Sequence, residues 1–401
     1  MTEIDLSLEM CGVKFSNPFI LASAPPTTTG EMMGRAFEAG WAGAVTKTLV
    51  LNVDNIVNVR PRLSSLSLSG RVRKVFAYEN IELVTDRPFS VWLREIEGLR
   101  RKYPDKVVIA SIMDDASSQE GWASLARQCE AAGANMIEIN MSCPHGMPER
   151  GMGSAIGQDP ELAGRVTRWT ADAVGIPVIA KMTPNITDIR VAAEAAVEAG
   201  ARAISAINTV AAISGVDLET LVPQPDVGGL STYGGLSGPA IKPLALRAVA
   251  SLAGAVNVPI SGIGGINSWE DAAEFILLGA STVQVCSAVM SRGFEVVAGF
   301  KDGLAGYMAR KGFATIEDLK GLSLAKIVSH EALGRTRKPT SRIDLEKCVK
   351  CGACFVSCRD SGYQAISLGE DKKPLVDASR CTGCSLCVHV CPVPGCVGLG
   401  V

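Results

Sequence analysis

Between Phe19 and Ser287 the chain alternates short apolar runs rich in Val, Ile and Ala with longer stretches whose apolar residues recur at helical spacing. The runs FILAS (19–23), GAVTK (43–47), VVIAS (107–111), MIEIN (136–140), PVIAK (177–181), AISAIN (203–208), VPISG (258–262) and TVQVC (282–286) predict eight parallel strands. Helices are expected over 31–39, 88–102, 119–132, 160–174, 188–199, 240–253 and 269–278, and Gly133, Gly200 and Gly279 stand where a left-handed residue ends a helix. Eight such units describe an α/β fold, a (β/α)8 TIM barrel over 1–311, rather than a doubly wound sheet. The segment from Thr48 to Pro88 is too long for an ordinary loop and follows strand two. It is therefore expected over the catalytic end of the barrel as a small β subdomain or lid. After Gly312 the periodicity fades into a basic, mixed-polarity bridge over 312–342, and from Ile343 onwards (343–401) cysteines, glycines and short turns predict a second, small domain.

Composition narrows the possibilities. In 401 residues, 47% hydrophobic and 20% charged, there is material for a large core and more than one folded unit. A net charge of −2 gives no basic field for nucleic acid. Glu3, Asp5 and Glu9 replace the basic start of a secretory signal, and no run reaches the roughly 18 apolar residues of a membrane span. A cytoplasmic protein without its own membrane attachment is the expectation.

Eight of the thirteen cysteines fall into two runs. Cys348, Cys351, Cys354 and Cys358 have the spacing C-x2-C-x2-C-x3-C, and Cys381, Cys384, Cys387 and Cys391 repeat it 33 residues later. Runs of this kind wrap cubane [4Fe-4S] clusters, three sulfurs from one run and the fourth from the other. The expected ligand sets are Cys348, Cys351, Cys354 and Cys391 for one cluster, and Cys381, Cys384, Cys387 and Cys358 for the other, in a ferredoxin-like domain. Structural zinc favours two separated C-x2-C pairs, and disulfide frameworks belong to small secreted chains. Where the second run ends in Pro392 the first has Arg359, which leaves the ligands intact. Clusters carry single electrons, so bond chemistry is sought in the barrel.

Polar residues stand at the C-terminal ends of the barrel strands, where this fold places its chemistry: Ser23, Lys47, Ser111, Asn140, Lys181, Asn208, Thr209, the run Gly262–Gly265, Cys286 and Ser287. Two lysines at the ends of apolar strands imply an electron-rich ligand unless both reach solvent along the rim. Lys181 suits the N1/O2 edge of a reduced flavin, and Lys47 its ring or ribityl chain. The loops SGIGG (261–265) and CSA (286–288) after strands seven and eight suit the phosphate of FMN. GMGSAIG (151–157) has the wrong spacing for a dinucleotide fingerprint. Cys143, in NMSCPHGMPERGMG (140–153), reads as a general acid on a loop made mobile by Gly146, Gly151 and Gly153; a packed structural cysteine is the other reading. His145 is the one histidine in this region, with no role assigned.

Together AVTKT (44–48), ENIEL (79–83), MSCPHGMPERGMG (141–153), AKMTPNITDI (180–189), INTV (207–210), YGGLSG (233–238), SGIGGI (261–266), QVCSAV (284–289) and SGYQAI (361–366) resemble the dihydropyrimidine dehydrogenases, within the dihydroorotate dehydrogenase-like flavin barrels. The resemblance covers nearly the whole chain. It implies FMN held by Ala22, Ser23, Lys47, Asn140, Lys181, Asn208, Ser237, Gly238, Gly264, Gly265, Cys286 and Ser287. It further implies a pyrimidine read by Asn80, Glu82, Asn140, Asn208 and Thr209, with Cys143 as the acid. Amides that donate and accept match a ring with two N–H groups and two carbonyls, and Glu82 is expected to repel the carboxylate of orotate. The animal members add FAD, NADPH and further cluster domains before the matched part. The resemblance therefore implies a catalytic subunit of the shorter bacterial kind, in a hetero-oligomer with a separate FAD- and NAD(P)H-binding flavoprotein. The reaction implied is reduction of the 5,6 double bond of uracil or thymine; oxidation of dihydroorotate to orotate is the alternative within the same barrels.

Overall fold

The computed structural model describes residues 4–54, 56–68, 74–144, 146–361 and 363–400. Eight parallel strands close into a barrel: Phe19–Leu21, Gly43–Val45, Val107–Ile112, Met136–Asn140, Val178–Lys181, Ala203–Ala206, Ile260–Ile263 and Ala280–Val285. Each lies within two residues of its sequence expectation. Their outward side chains join those of the surrounding helices in one large apolar core that includes Trp41, Trp92 and Trp122, all fully buried. The seven expected helices are present, for local reasons that the sequence carries. Thr29 caps Gly30–Ala39 by accepting from the Met32 N–H, Asp159 caps Pro160–Ala171, and Ser268 forms a capping box with Asp271 before Trp269–Leu277. Gly133, Gly200 and Gly279 take φ of 92°, 110° and 102°, as their helix-stopping role requires. The eighth outer helix, Val296–Lys311, was not among those expected; it buries Val297, Phe300, Leu304 and Met308 at helical spacing.

A hairpin of Leu8–Met10 and Val13–Phe15, turned by Cys11 and Gly12 at positive φ, packs Leu8, Met10 and Phe15 against the inward residues Ile20, Val45, Ile109 and Ile179. That plugs the barrel end opposite the strand termini that carry the polar residues. At the other end the insertion after strand two supplies Leu63–Leu68 and Lys74–Asn80 to an antiparallel four-stranded sheet. Its other two strands, Val210–Ala212 and Gly234–Ser237, come from the loop after strand six. The expected β subdomain is thus built from two distant segments, which fixes the residues flanking Asn80 against those flanking Ser237.

The chain divides into two compact units, Met1–Lys326 and Ile327–Val401, and the division falls inside the stretch read as a bridge. Past Gly312, Ile316 and Leu319 are still buried in the barrel's core. The second unit pairs Thr340–Ile343 with Val397–Gly400 and Ile366–Leu368 with Pro374–Val376, and carries the helices Ala353–Asp360 and Leu386–Val390. Among the described residues no helix is long and apolar enough to cross a membrane.

Candidate active site

At the C-terminal end of the barrel strands a cleft of about 1040 Å³ opens beneath the four-stranded sheet. Of the barrel residues singled out in the sequence, Ala22, Ser23, Lys47, Asn80, Glu82, Asn140, Cys143, Lys181, Asn208, Thr209, Ser237, Gly238, Gly264, Gly265, Cys286 and Ser287 line it, whereas Ser111 and Gly262 do not. Such a convergence of distant positions in one concave surface is the normal form of a small-molecule site.

The amides are already oriented. Asn140 Nδ2 donates to Thr48 Oγ1 at 2.8 Å, while its Oδ1 accepts from Ser142 Oγ at 2.9 Å. Asn208 Nδ2 donates to the same Ser142 Oγ at 2.9 Å, and Asn208 Oδ1 takes the Thr209 N–H at 2.8 Å. Thr48 also lies 3.2 Å from Ser23 Oγ and 3.1 Å from Ser111 Oγ, and Asn80 Oδ1 accepts the Glu82 N–H at 2.7 Å. A network held in this way leaves little freedom of amide rotation, which favours binding one ring in one orientation.

Both lysines are buried, so neither reaches solvent along the rim. Nor do they lack protein partners, the premise on which the sequence reading inferred a ligand. Lys47 Nζ meets Glu82 Oε2 at 2.8 Å, and Lys181 Nζ meets Glu138 Oε1 at 3.4 Å. Glu82 takes a second cation, Arg62, at 3.0 Å. Two cations around one carboxylate offset its charge, so the repulsion of a substrate carboxylate expected of Glu82 alone is weakened. Arg62, Thr48, Ser142, Glu138 and Gln284 were missed. Glu138 and Gln284 had a legible signal, since each lies two positions before a chosen residue, Asn140 and Cys286, on the same inward face of a strand.

Cys143 is buried beside Val50, Ile56, Val84, Met113 and Met147. Its loop is folded back on itself. The Ser154 N–H donates to the Cys143 carbonyl at 2.9 Å, and Gly153, at φ 60°, leaves no room for a side chain, because a Cβ there would stand 2.7 Å from that carbonyl. The sequence assigned this glycine to mobility; here it permits close packing. His145 lies outside the described residues. Cys286, on the cleft wall, has its thiol pushed up to about 12 by burial, against the pull of Lys47 and Lys181, so it stays neutral at ordinary pH.

Three features fit FMN. Gly264 and Gly265, at φ 129° and 76°, form a cradle where a Cβ would collide with Ala245 and Lys242 at 2.7 Å in each case, leaving backbone groups to face an anion. The Lys47 and Lys181 ammonium groups, held by Glu82 and Glu138, present N–H donors to the cleft. Gln284 Oε1 is a buried acceptor with no hydrogen-bond partner among the described residues.

The cysteine unit passes a comparable test. Cys348, Cys351, Cys354 and Cys391 ring a cavity of about 380 Å³, and Cys381, Cys384, Cys387 and Cys358 ring one of about 350 Å³. The first cavity is also lined by Cys396, and each cavity draws one cysteine from the other run. The exchange has a helical cause, since Cys354 and Cys358 sit four residues apart on Ala353–Asp360 and reach cavities at different heights along it. Among the described residues no three Cys, His, Asp or Glu side chains gather tightly enough for a single metal ion. Two sets of cysteines around separate cavities suit two cubane clusters.

Comparison with known proteins agrees with this geometry. Residues 5–308 match the family model for dihydroorotate dehydrogenase, and residues 341–399 match that for a 4Fe-4S dicluster domain. The NAD-dependent dihydropyrimidine dehydrogenase subunit PreA of Escherichia coli K12 is 43% identical over 400 residues, covering 99% of this chain and 95% of that one. The chloroplastic dihydropyrimidine dehydrogenase (NADP(+)) of Arabidopsis thaliana is 42% identical over 346 residues, 84% of this chain and 81% of that one. The catalytic subunit of dihydroorotate dehydrogenase B (NAD(+)) of Pyrococcus abyssi is 37% identical over 329 residues, 80% of this chain and 99% of its own.

Proposed function

The chain belongs to the dihydroorotate dehydrogenase family, on the dihydropyrimidine dehydrogenase branch, and from that premise we propose that it reduces the 5,6 double bond of uracil or thymine to the 5,6-dihydropyrimidine. The observation that carries this reading is the joining, in one chain, of an amide-lined flavin-type cleft with a dicluster domain. The Pyrococcus dihydroorotate dehydrogenase subunit aligns over nearly all its own length with only 80% of this chain, whereas the Escherichia coli relative aligns with 99%.

The product gains a hydride at C6 and a proton at C5, which together are two electrons and two protons. In this reading Asn80, Asn140, Asn208 and Thr209 hold the ring through its carbonyls and N–H groups, and Glu82 accepts from a ring N–H. Cys143 gives the proton to C5, and its thiolate is reprotonated from water. Ala22, Ser23, Lys47, Lys181, Ser237, Gly238, Gly264, Gly265, Cys286 and Ser287 would hold FMN, with Asn140 and Asn208 facing both ligands. Bound FMN supplies the hydride and exchanges electrons singly with iron-sulfur centres. The eight ligand cysteines hold two [4Fe-4S] clusters, and electrons reach them from NAD(P)H on a separate FAD-containing flavoprotein subunit, in a hetero-oligomer. The printed name of the Escherichia coli relative, a subunit, supports such a partner.

The test is an anaerobic assay with a chemically reduced viologen as donor and uracil, thymine or orotate as acceptor. Donor oxidation with uracil or thymine, and dihydropyrimidine as product, is the expected result. Turnover with orotate alone would replace this reading by the dihydroorotate one. Co-purification with a flavoprotein that makes NADH or NADPH oxidation depend on uracil tests the subunit division.

A further inference from the structure

One pleat below Asn140 and Asn208, the barrel's inner wall carries a buried polar relay. Glu138 is fully buried in Met136–Asn140. Its Oε1 takes Lys181 Nζ at 3.4 Å, and its Oε2 takes Ser205 Oγ at 2.8 Å and Gln284 Nε2 at 3.1 Å. Gln284 Nε2 also reaches Ser261 Oγ at 3.3 Å, and Ser261 is in turn held by Thr282 at 2.8 Å.

This arrangement fixes which way the Gln284 carboxamide points. A carboxylate facing an ammonium only accepts, so the amide must turn its NH2 towards Glu138 and its carbonyl oxygen away. That oxygen, Oε1, is buried and unmatched among the described residues, while Gln284 lines the cleft alongside Lys181. Buried acceptors in native proteins are normally met by a donor, here from a ligand or a trapped water. The site thus presents an acceptor and a cationic donor to the same cleft. An oxidised isoalloxazine has its complement, one N–H lying beside a carbonyl.

We propose that Gln284 reads the imide N–H of the flavin ring, and that Glu138 is the positioning residue that fixes both the Gln284 carbonyl and the Lys181 ammonium for that ring. The proposal rests on the flavin reading above and adds two residues to it. Glu138 acts through the others and is itself shielded from the ligand.

The test titrates the full-length protein, freed of flavin, with FMN and with FMN methylated at the imide nitrogen, following flavin fluorescence. Wild type is expected to prefer FMN by about tenfold or more. Gln284→Met, of similar shape but without the acceptor, should weaken FMN binding about tenfold, the scale of one buried hydrogen bond, and lose most of that preference. Glu138→Gln frees the Gln284 amide to turn over and should erode the preference although Gln284 is still present. Equal weakening of both flavins in Gln284→Met, or an unchanged preference, would overturn the proposal and leave the flavin reading standing. So would a wild-type protein that does not distinguish the two flavins, a result that needs no variant to fold. Failure of wild type to bind either flavin would remove both the proposal and the reading beneath it.

Discussion

The barrel cleft and the cysteine unit reach order by different means. The cleft's polar side chains hold one another: Asn140, Asn208, Lys47 and Lys181 each have a protein partner, and the cleft rests on a core of several dozen buried apolar residues. In the cysteine unit the buried cluster is Cys354, Ile366, Cys387, Cys396 and Val397, so three of its five buried members are cysteines, two of them cluster ligands. A unit of this size with so little apolar interior is expected to depend on its metal for folding, and the barrel to fold without its flavin. The barrel site is preorganised by its own side chains, whereas order in the cysteine unit should come from its metal.

The largest effect expected from this contrast follows removal of iron by a chelator under reducing conditions. Residues 327–401 should lose their amide protection in hydrogen exchange while the barrel's strands keep theirs; protection surviving in both would break the contrast. Next is Cys143→Ala. Turnover with uracil should fall by about 10² to 10⁴, as for other lost general acids, with FMN binding unchanged. Near-normal turnover would return Cys143 to the role of a packed cysteine. Third, Cys391→Ser should cost the full-length protein about half its iron, measured by elemental analysis, because Cys391 closes only one of the two cavities. Cys396→Ser, which alters a neighbour outside either run, should retain the full content. A smaller change is expected of Arg62→Ala, since the pair with Glu82 is partly exposed on the arginine side. KM for uracil should rise about two- to fivefold with little change in kcat, within the range of a half-exposed ion pair. The smallest effect is an absence: Cys286, with its thiol pushed up to about 12, should resist iodoacetamide at pH 8 in the folded protein, as peptide mass spectrometry would show.

The two regions were also unequally legible. The barrel strands emerged from sequence because each is a nearly unbroken apolar run, and the dicluster domain emerged because its cysteine spacing is specific. The outer half of the four-stranded sheet did not. Val210–Ala212 and Gly234–Ser237 are three and four residues long, rich in Ala and Gly, and become strands only by pairing with Lys74–Asn80 and each other. The cleft residues read from the strand pattern stood at strand ends, where the fold places chemistry, and Asn80, Glu82, Ser237 and Gly238 came only from the resemblance, so the layer of Glu138, Ser205 and Gln284 beneath them went unread. In MIEIN, AISAIN and TVQVC these polar residues lie within apolar runs; the closed barrel makes them neighbours across strands distant in sequence.

Electron transfer from the clusters through the cleft to a neutral pyrimidine can be followed in a single-turnover titration. The full-length protein would be reduced anaerobically to completion, freed of reductant, and mixed with uracil while flavin and cluster absorbance are followed. Both bands should return to their oxidised form, with one dihydrouracil formed for each pair of electrons lost. Reoxidation of the flavin band alone, or of neither band with uracil but both with orotate, would contradict it.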